Sequence, residues 1–117
     1  MKRILAELVE NVGVRGAAVV TRDGMLVASA LTGELDDDGI AALGASLVLR
    51  TVKALDRLAI DGIERMIVLG SRGKIILVDI GSTFLIAVTD LGINLDLTML
   101  DISGAAHKLR KASRLEV

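Results

Sequence analysis

Several groups of residues in this 117-residue chain are of types that do chemistry, and each can be weighed by its spacing. Gly70-Ser71-Arg72-Gly73-Lys74 joins glycines to a lysine as a phosphate-cradling loop does. Such a loop needs four residues between its glycines, then Lys-Ser or Lys-Thr opening a helix. Here two residues intervene, Ile75 follows Lys74 and a strand-like run continues, so the segment reads as a hairpin turn. Asp36-Asp37-Asp38 offers carboxylates to a divalent cation, but lacks the alternating spacing and distal Glu of a calcium loop. At the head of a helix-length segment the same carboxylates suit capping and the positive end of the helix dipole. His107 is the only histidine and there is no cysteine, so one chain cannot build a paired-His or thiolate metal site. Ser46, Ser71 and Ser82 have no accompanying base, which leaves no nucleophilic triad. The expected catalytic, cofactor-binding and metal-binding sets are therefore empty, and a hydrolase reading ranks last.

Two basic groups remain. Ser46, Arg50, Lys53 and Arg57 fall on one side of a predicted middle helix, where they form either an ordinary solvated face, partly neutralised by Asp56, or a strip that docks a partner. Lys108, Arg110, Lys111 and Arg114 crowd the end of a predicted last helix, an order that complements its dipole better than it builds a membrane anchor.

The elements that must position these residues follow from periodicity. Ile4, Leu5, Leu8 and Val9 share one side of residues 2–11, the spacing of a short amphipathic helix that Gly13 ends. Strand-length apolar runs at 15–21 and 25–31 flank Arg22-Asp23-Gly24, a hairpin signal because Gly accepts the positive φ of the turn. A helix is predicted from about Gly39 to Ala59. After Asp61-Gly62 come strands at 63–70, 74–80 and 83–89, separated by Ser71-Arg72-Gly73 and Gly81-Ser82. Asn94 can cap a closing helix to about Arg114. The order is αββαβββα, with no linker, internal repeat or low-complexity stretch, and the length fits a single domain over residues 1–117.

Composition narrows the partners. With 52% apolar and 25% charged residues the chain is expected to fold as a soluble globule. Fourteen basic against fifteen acidic side chains, one Phe and no Tyr or Trp provide neither the field nor the stacking platform of a nucleic-acid binder. Glu7 and Glu10 break what would be the apolar core of a signal peptide, and no apolar stretch reaches the ~20 residues that span a bilayer. The expectation is a cytoplasmic protein that acts neither on membranes nor on nucleic acid.

Two inferences concern architecture. Met66-Ile67-Val68-Leu69, Ile75-Ile76-Leu77-Val78 and Phe84-Leu85-Ile86-Ala87-Val88 are apolar at every position, whereas a sheet wetted on one side alternates. Helices must then cover both faces of a five-stranded antiparallel sheet, an α/β (α+β) three-layer sandwich. The middle helix carries the stripe Ile40, Leu43, Leu47, Thr51, Ala54, Leu55 and Leu58, with Ala41, Ala45, Val48, Val52 and Ala59 beside it. Together they sweep about 200°, twice the ~100° that seats a helix on a sheet. The first stripe is assigned to the sheet, and the second, with Gly44 allowing close backbone approach, to the same helix of a twofold-related copy. The alternative is that the alanines are helix-forming filler and that Val48 and Val52 are tucked under the 31–37 loop. The apolar strand at 63–70, with Met66 and Val68, adds an edge with reason to pair. The expected dimer interface is thus Ala41, Gly44, Ala45, Val48, Val52, Ala59, Met66 and Val68, with Ser46, Arg50, Lys53 and Arg57 as the partner-binding strip.

The element order, with Gly16-Ala17-Ala18-Val19-Val20-Thr21-Arg22-Asp23-Gly24-Met25-Leu26-Val27-Ala28-Ser29 and the later Gly70-Ser71-Arg72-Gly73-Lys74-Ile75-Ile76-Leu77, resembles the roadblock/dynein light chain family over nearly the whole chain. The resemblance implies a profilin-like roadblock fold and a homodimer or heterodimer with middle helices side by side and third strands joined into one sheet. It also implies a non-enzymatic role. Members include dynein light chains, scaffold subunits that anchor Ras-like GTPases and bacterial MglB-type regulators of a polarity GTPase. A chain without extensions looks closest to the bacterial or archaeal regulators. No arginine finger can be carried over, so any effect on GTP hydrolysis would act by reshaping the GTPase. The leading expectation is a homodimeric regulator or scaffold of a small Ras-like GTPase; a structural subunit of a larger complex and a small-ligand-sensing module are the rivals.

Overall fold

The computed structural model describes residues 1–33, 35–60 and 62–115, without the side chains of Leu95 and residues 113–115. Its elements are α1 (Lys2–Val9), β1 (Val14–Thr21), β2 (Leu26–Leu31), α2 (Asp37–Arg57), β3 (Arg65–Leu69), β4 (Gly73–Asp79), β5 (Thr83–Asp90) and α3 (Leu95–Leu115). This is the predicted αββαβββα order. Of the turn residues named above, Asp61 lies outside the described residues, as does the Arg114 side chain of the basic cluster. Among the described residues, no helix is long and apolar enough to cross a membrane.

Local chemistry sets the boundaries. Asp36, in an extended conformation, accepts the Gly39 amide at 2.6 Å and so opens α2 two residues earlier than its apolar pattern announces. Asn94 does the same for α3 by accepting the Leu97 amide at 3.2 Å. At the far end of α2 the Ile60 amide reaches back to the Leu55 carbonyl (2.9 Å) and that of Ala59 to Asp56 (3.1 Å), the paired bonds of a Schellman stop. Ala59 takes the left-handed conformation there, φ 56°, a position that glycine usually fills. In the first hairpin Gly24 (φ 92°) turns the chain while the Thr21 hydroxyl accepts the Met25 amide at 2.9 Å.

The sheet runs β2-β1-β5-β4-β3, antiparallel throughout. On one face Ala17, Val19, Ile76, Val78, Leu85 and Ala87 meet Leu5 and Leu8 of α1 and Ile102, Ala105, Ala106 and Leu109 of α3. On the other, Ala18, Val20, Leu77, Phe84 and Ile86 meet Ile40, Ala41 and Val48 of α2. Each of the large side chains fully shielded there, such as Phe84, Leu85, Ile86 and Ile102, contributes about 1.5–3 kcal/mol.

The expectation that helices cover both faces holds for the central strands and fails at the edge. In β3, Met66 and Val68 turn toward the α2 layer and are partly buried, whereas Ile67 and Leu69 on the opposite face stay 42% and 68% exposed. The apolar run is continuous because each face has its own demand, but among the described residues the core under α1 and α3 draws on β1, β2, β5 and β4 and takes no side chain from β3.

Candidate functional site

The residues that could have done chemistry are either engaged in local structure or exposed singly. Gly70 donates to the Gly73 carbonyl at 2.8 Å and closes the β3–β4 turn around Ser71 and Arg72. Asp36 caps α2 and Asp37 accepts the Ser29 hydroxyl at 2.8 Å. His107 is exposed on α3 and Ser46 on α2. Among the described residues, no three His, Cys, Asp or Glu side chains converge as a metal would need.

The subunit's own sheet takes the middle of the wide apolar arc of α2, drawing on both stripes: Ile40 is buried there as expected, and so are residues assigned to a partner copy. Ala41, Gly44 and Val48, assigned above to a partner copy, are buried against this subunit's own sheet, and Val52 packs with them. A Cβ added to Gly44 would stand 2.3 Å from Ile86 Cδ1 and 3.3 Å from Val20 Cγ2, so this glycine lets the helix settle onto the sheet. Ala45 lies against the β1–β2 turn, where a Cβ on Gly24 would come within 2.9 Å of it. Small residues do permit close backbone approach here, but to the subunit's own strands. Ala59 is exposed where α2 stops.

The rest of the stripe assigned to the sheet occupies the side of α2 that leans toward β3. Thr51 Oγ1 lies 3.5 Å from Met66 Sδ, and Leu47 and Leu55 are partly buried beside them. On the outer border of that stripe Leu43, Ala54 and Leu58 are left exposed, Leu58 by 68%, and Ile60 continues the border toward β3. Met66 and Val68 lie just beneath, on the α2 face of a strand that pairs with β4 on one side alone. A free strand edge and an exposed apolar helix border thus lie on the same side of the subunit, joined where Thr51 meets Met66.

Ser46, Arg50, Lys53 and Arg57 come together on the outward face of α2, all exposed, in a strip roughly 16 Å long. The ion pairs among the described residues join Arg3 to Glu7, Arg15 to Asp90, Arg22 to Asp79 and Lys108 to Glu7, so none occupies this strip. Leu49, 54% exposed, flanks it on the side away from β3. Such a surface, cationic in the middle with leucines at its borders, suits contact with an acidic protein face.

Sequence reasoning overlooked the open cleft of about 1220 Å³ where α2 ends, lined by Leu55, Ile60, Glu64, Arg65, Asp79 and Arg110 among others. Its rim is stapled by Arg110, which donates to the Asp79 carbonyl at 2.7 Å. Arg22 reinforces this end of the sheet: it pairs with the Asp79 carboxylate at 3.7 Å and lies over the Phe84 ring at 4.7 Å. No periodicity could reveal these contacts, because they link the β1–β2 turn, the β4–β5 turn and α3 across long sequence distances.

Comparison with known proteins agrees with this geometry. The family model described as Roadblock/LC7 domain matches residues 2–90. An uncharacterised protein of Methanocaldococcus jannaschii is 32% identical over 108 residues, covering 92% of each chain. Among solved structures, MglB of Myxococcus xanthus superposes with a TM-score of 0.91 at 20% identity, over 99% of this chain and 89% of that one. A Roadblock/LC7 domain from Streptomyces avermitilis gives 0.88 at 14% identity, over 97% and 98%. At these identities the two structures share the fold.

Proposed function

Because the chain belongs to the roadblock/LC7 domain family, we propose that it is a non-catalytic homodimeric adaptor of the cytoplasm whose partner is a small Ras-like GTPase, held or modulated on the outward faces of two neighbouring α2 helices. The observation that carries this reading is the juxtaposition of the unpaired β3 edge with the exposed border Leu43, Ala54, Leu58 and Ile60. One twofold axis beside β3 would pair the two edges and cover both borders at once, which answers the aggregation hazard of a bare apolar edge. The seam is then built from Met66 and Val68, as the sequence led us to expect, together with the β3-side stripe of α2 in place of Ala41, Gly44, Ala45, Val48 and Val52. In that dimer the strips Ser46, Arg50, Lys53 and Arg57 flank a shared groove, and their net positive charge, only partly offset by Asp56, favours an acidic partner surface.

The test is gel filtration with light scattering of the protein mixed with each Ras-like GTPase of its host, loaded with GDP or a GTP analogue. A complex is expected with one of them. The triple variant Arg50→Glu, Lys53→Glu, Arg57→Glu should keep the dimer mass and lose at least about tenfold in affinity at low salt, chiefly through slower association. Absence of a complex with every such GTPase, or equal binding by the triple variant, would overturn the proposal.

A further inference from the structure

Helix α3 carries an unpartnered face that is complementary to itself. Its inner side buries Thr98, Ile102, Ala105, Ala106 and Leu109 against the sheet and α1. Along its outer side Leu97, Leu100, Gly104, His107 and Lys111 recur at alternating spacings of three and four and are all exposed, Leu97 by 61% and Leu100 by 69%. That spacing is the seam pattern of helices that pair lengthwise. Gly104 stands at its centre, in the middle of a 21-residue helix, with nothing within 4 Å of the Cβ it lacks. Gly44 in α2 is explained by the subunit's own packing; Gly104 is not, and a mid-helix glycine carries a conformational cost.

The charges decide what the face fits. Asp96 and Asp101 lie in the first half of α3, and Lys108 and Lys111 in the second. Asp101 and Lys108 are seven residues apart, on one flank of the seam. A parallel neighbour would set like charge against like. An antiparallel copy centred beside Gly104 sets Asp101 against Lys108 of its twin, twice by symmetry, and lays the aliphatic stem of Lys111 over Leu97. Lys108 is free to turn there, its pairing with Glu7 being exposed and 3.9 Å long.

We propose that α3 is a second self-association surface, through which two copies of this chain pair antiparallel across Gly104. It lies on the opposite side of the sheet from α2 and does not depend on the GTPase reading or on the β3 seam. A single helix face is small, so the contact is weak, salt-sensitive and suited to joining preformed assemblies.

Charge exchange tests it. Sedimentation velocity of the full chain, from micromolar to millimolar concentration at low salt, should show a concentration-dependent association step. Asp101→Lys and Lys108→Asp should each weaken that step by about tenfold or more, since two exposed attractions become two repulsions. An equimolar mixture of the two variants should restore it, because the lysine introduced in one chain then faces the aspartate introduced in the other. Gly104→Ala should raise the thermal midpoint in dilute solution while weakening the step, opposite signs that a merely structural glycine would not give. Far-UV circular dichroism confirms that each variant folds. The proposal fails if the wild-type step is absent, if either single variant sediments as wild type, or if the mixture does not recover.

Discussion

Gly44→Ala is the sharpest probe of where α2 rests. Alanine in place of a mid-helix glycine gains about 1 kcal/mol when its methyl meets open space. At Gly44 the methyl would stand 2.3 Å from Ile86 Cδ1, a buried atom, whereas carbon atoms settle at about 3.5–4.0 Å. Overpacking of this kind costs about 1–3 kcal/mol, so the net change is a loss of about 0–2 kcal/mol, up to roughly 8 °C in thermal midpoint. Had this face been free, the same substitution would have stabilised the subunit by about 1 kcal/mol. The offending atom can be deleted: Ile86→Val removes Cδ1 at a cost of about 0.5–1.5 kcal/mol alone. In the double variant the new methyl occupies the vacated space and keeps its helical gain, so the pair should come out close to wild type, with favourable coupling of about 1–3 kcal/mol. Urea unfolding followed by circular dichroism suits a chain without Trp or Tyr, at one fixed concentration so that self-association contributes equally to every curve. A stabilised Gly44→Ala, or singles and double additive within about 0.5 kcal/mol, would refute the packing argument.

Other substitutions test neighbouring steps. Since the Gly70 amide points to β4, the Ile67 amide, three residues back, points away from it; Ile67→Pro therefore spares the β3–β4 ladder and should reduce the light-scattering mass from dimer to monomer with an unchanged dichroism spectrum. Asp36→Ala removes the cap of α2 and should lower stability by about 1 kcal/mol in urea titration. Ala59→Gly relieves a left-handed alanine and should raise stability by about 0.5–1 kcal/mol, seen as a higher urea midpoint at unchanged slope.

What the sequence disclosed was mostly local. The Arg22-Asp23-Gly24 turn, the Asp36 and Asn94 caps and the order of the elements rest on short-range rules that the folded chain obeys. The Schellman stop of α2 was less legible, because Ala59 fills the place where a glycine would have announced it. The exposed face of β3 was misjudged for a different reason. An unbroken apolar run shows that neither face is polar, yet says nothing of how far α3 extends sideways, and Ile67 and Leu69 stay exposed.

The burial of Ala41, Gly44 and Val48 within the subunit has the same root. A helical projection gives angles between side chains and leaves open which flank meets the sheet, and both flanks here are apolar. Volume breaks the tie. Ala41, Gly44 and Ala45 are the small residues, and a helix that must lie over the bulky Val20, Phe84 and Ile86 needs them on its inner side. Leu43 and Leu58 are then forced outward, toward β3. A second copy would therefore meet the larger side chains, where each leucine withdrawn from water contributes about 1.5–3 kcal/mol against far less for an alanine. Small residues inside and leucines on the border would make α2 a better shared helix in the proposed dimer than the opposite arrangement would, with its basic strip on the open face.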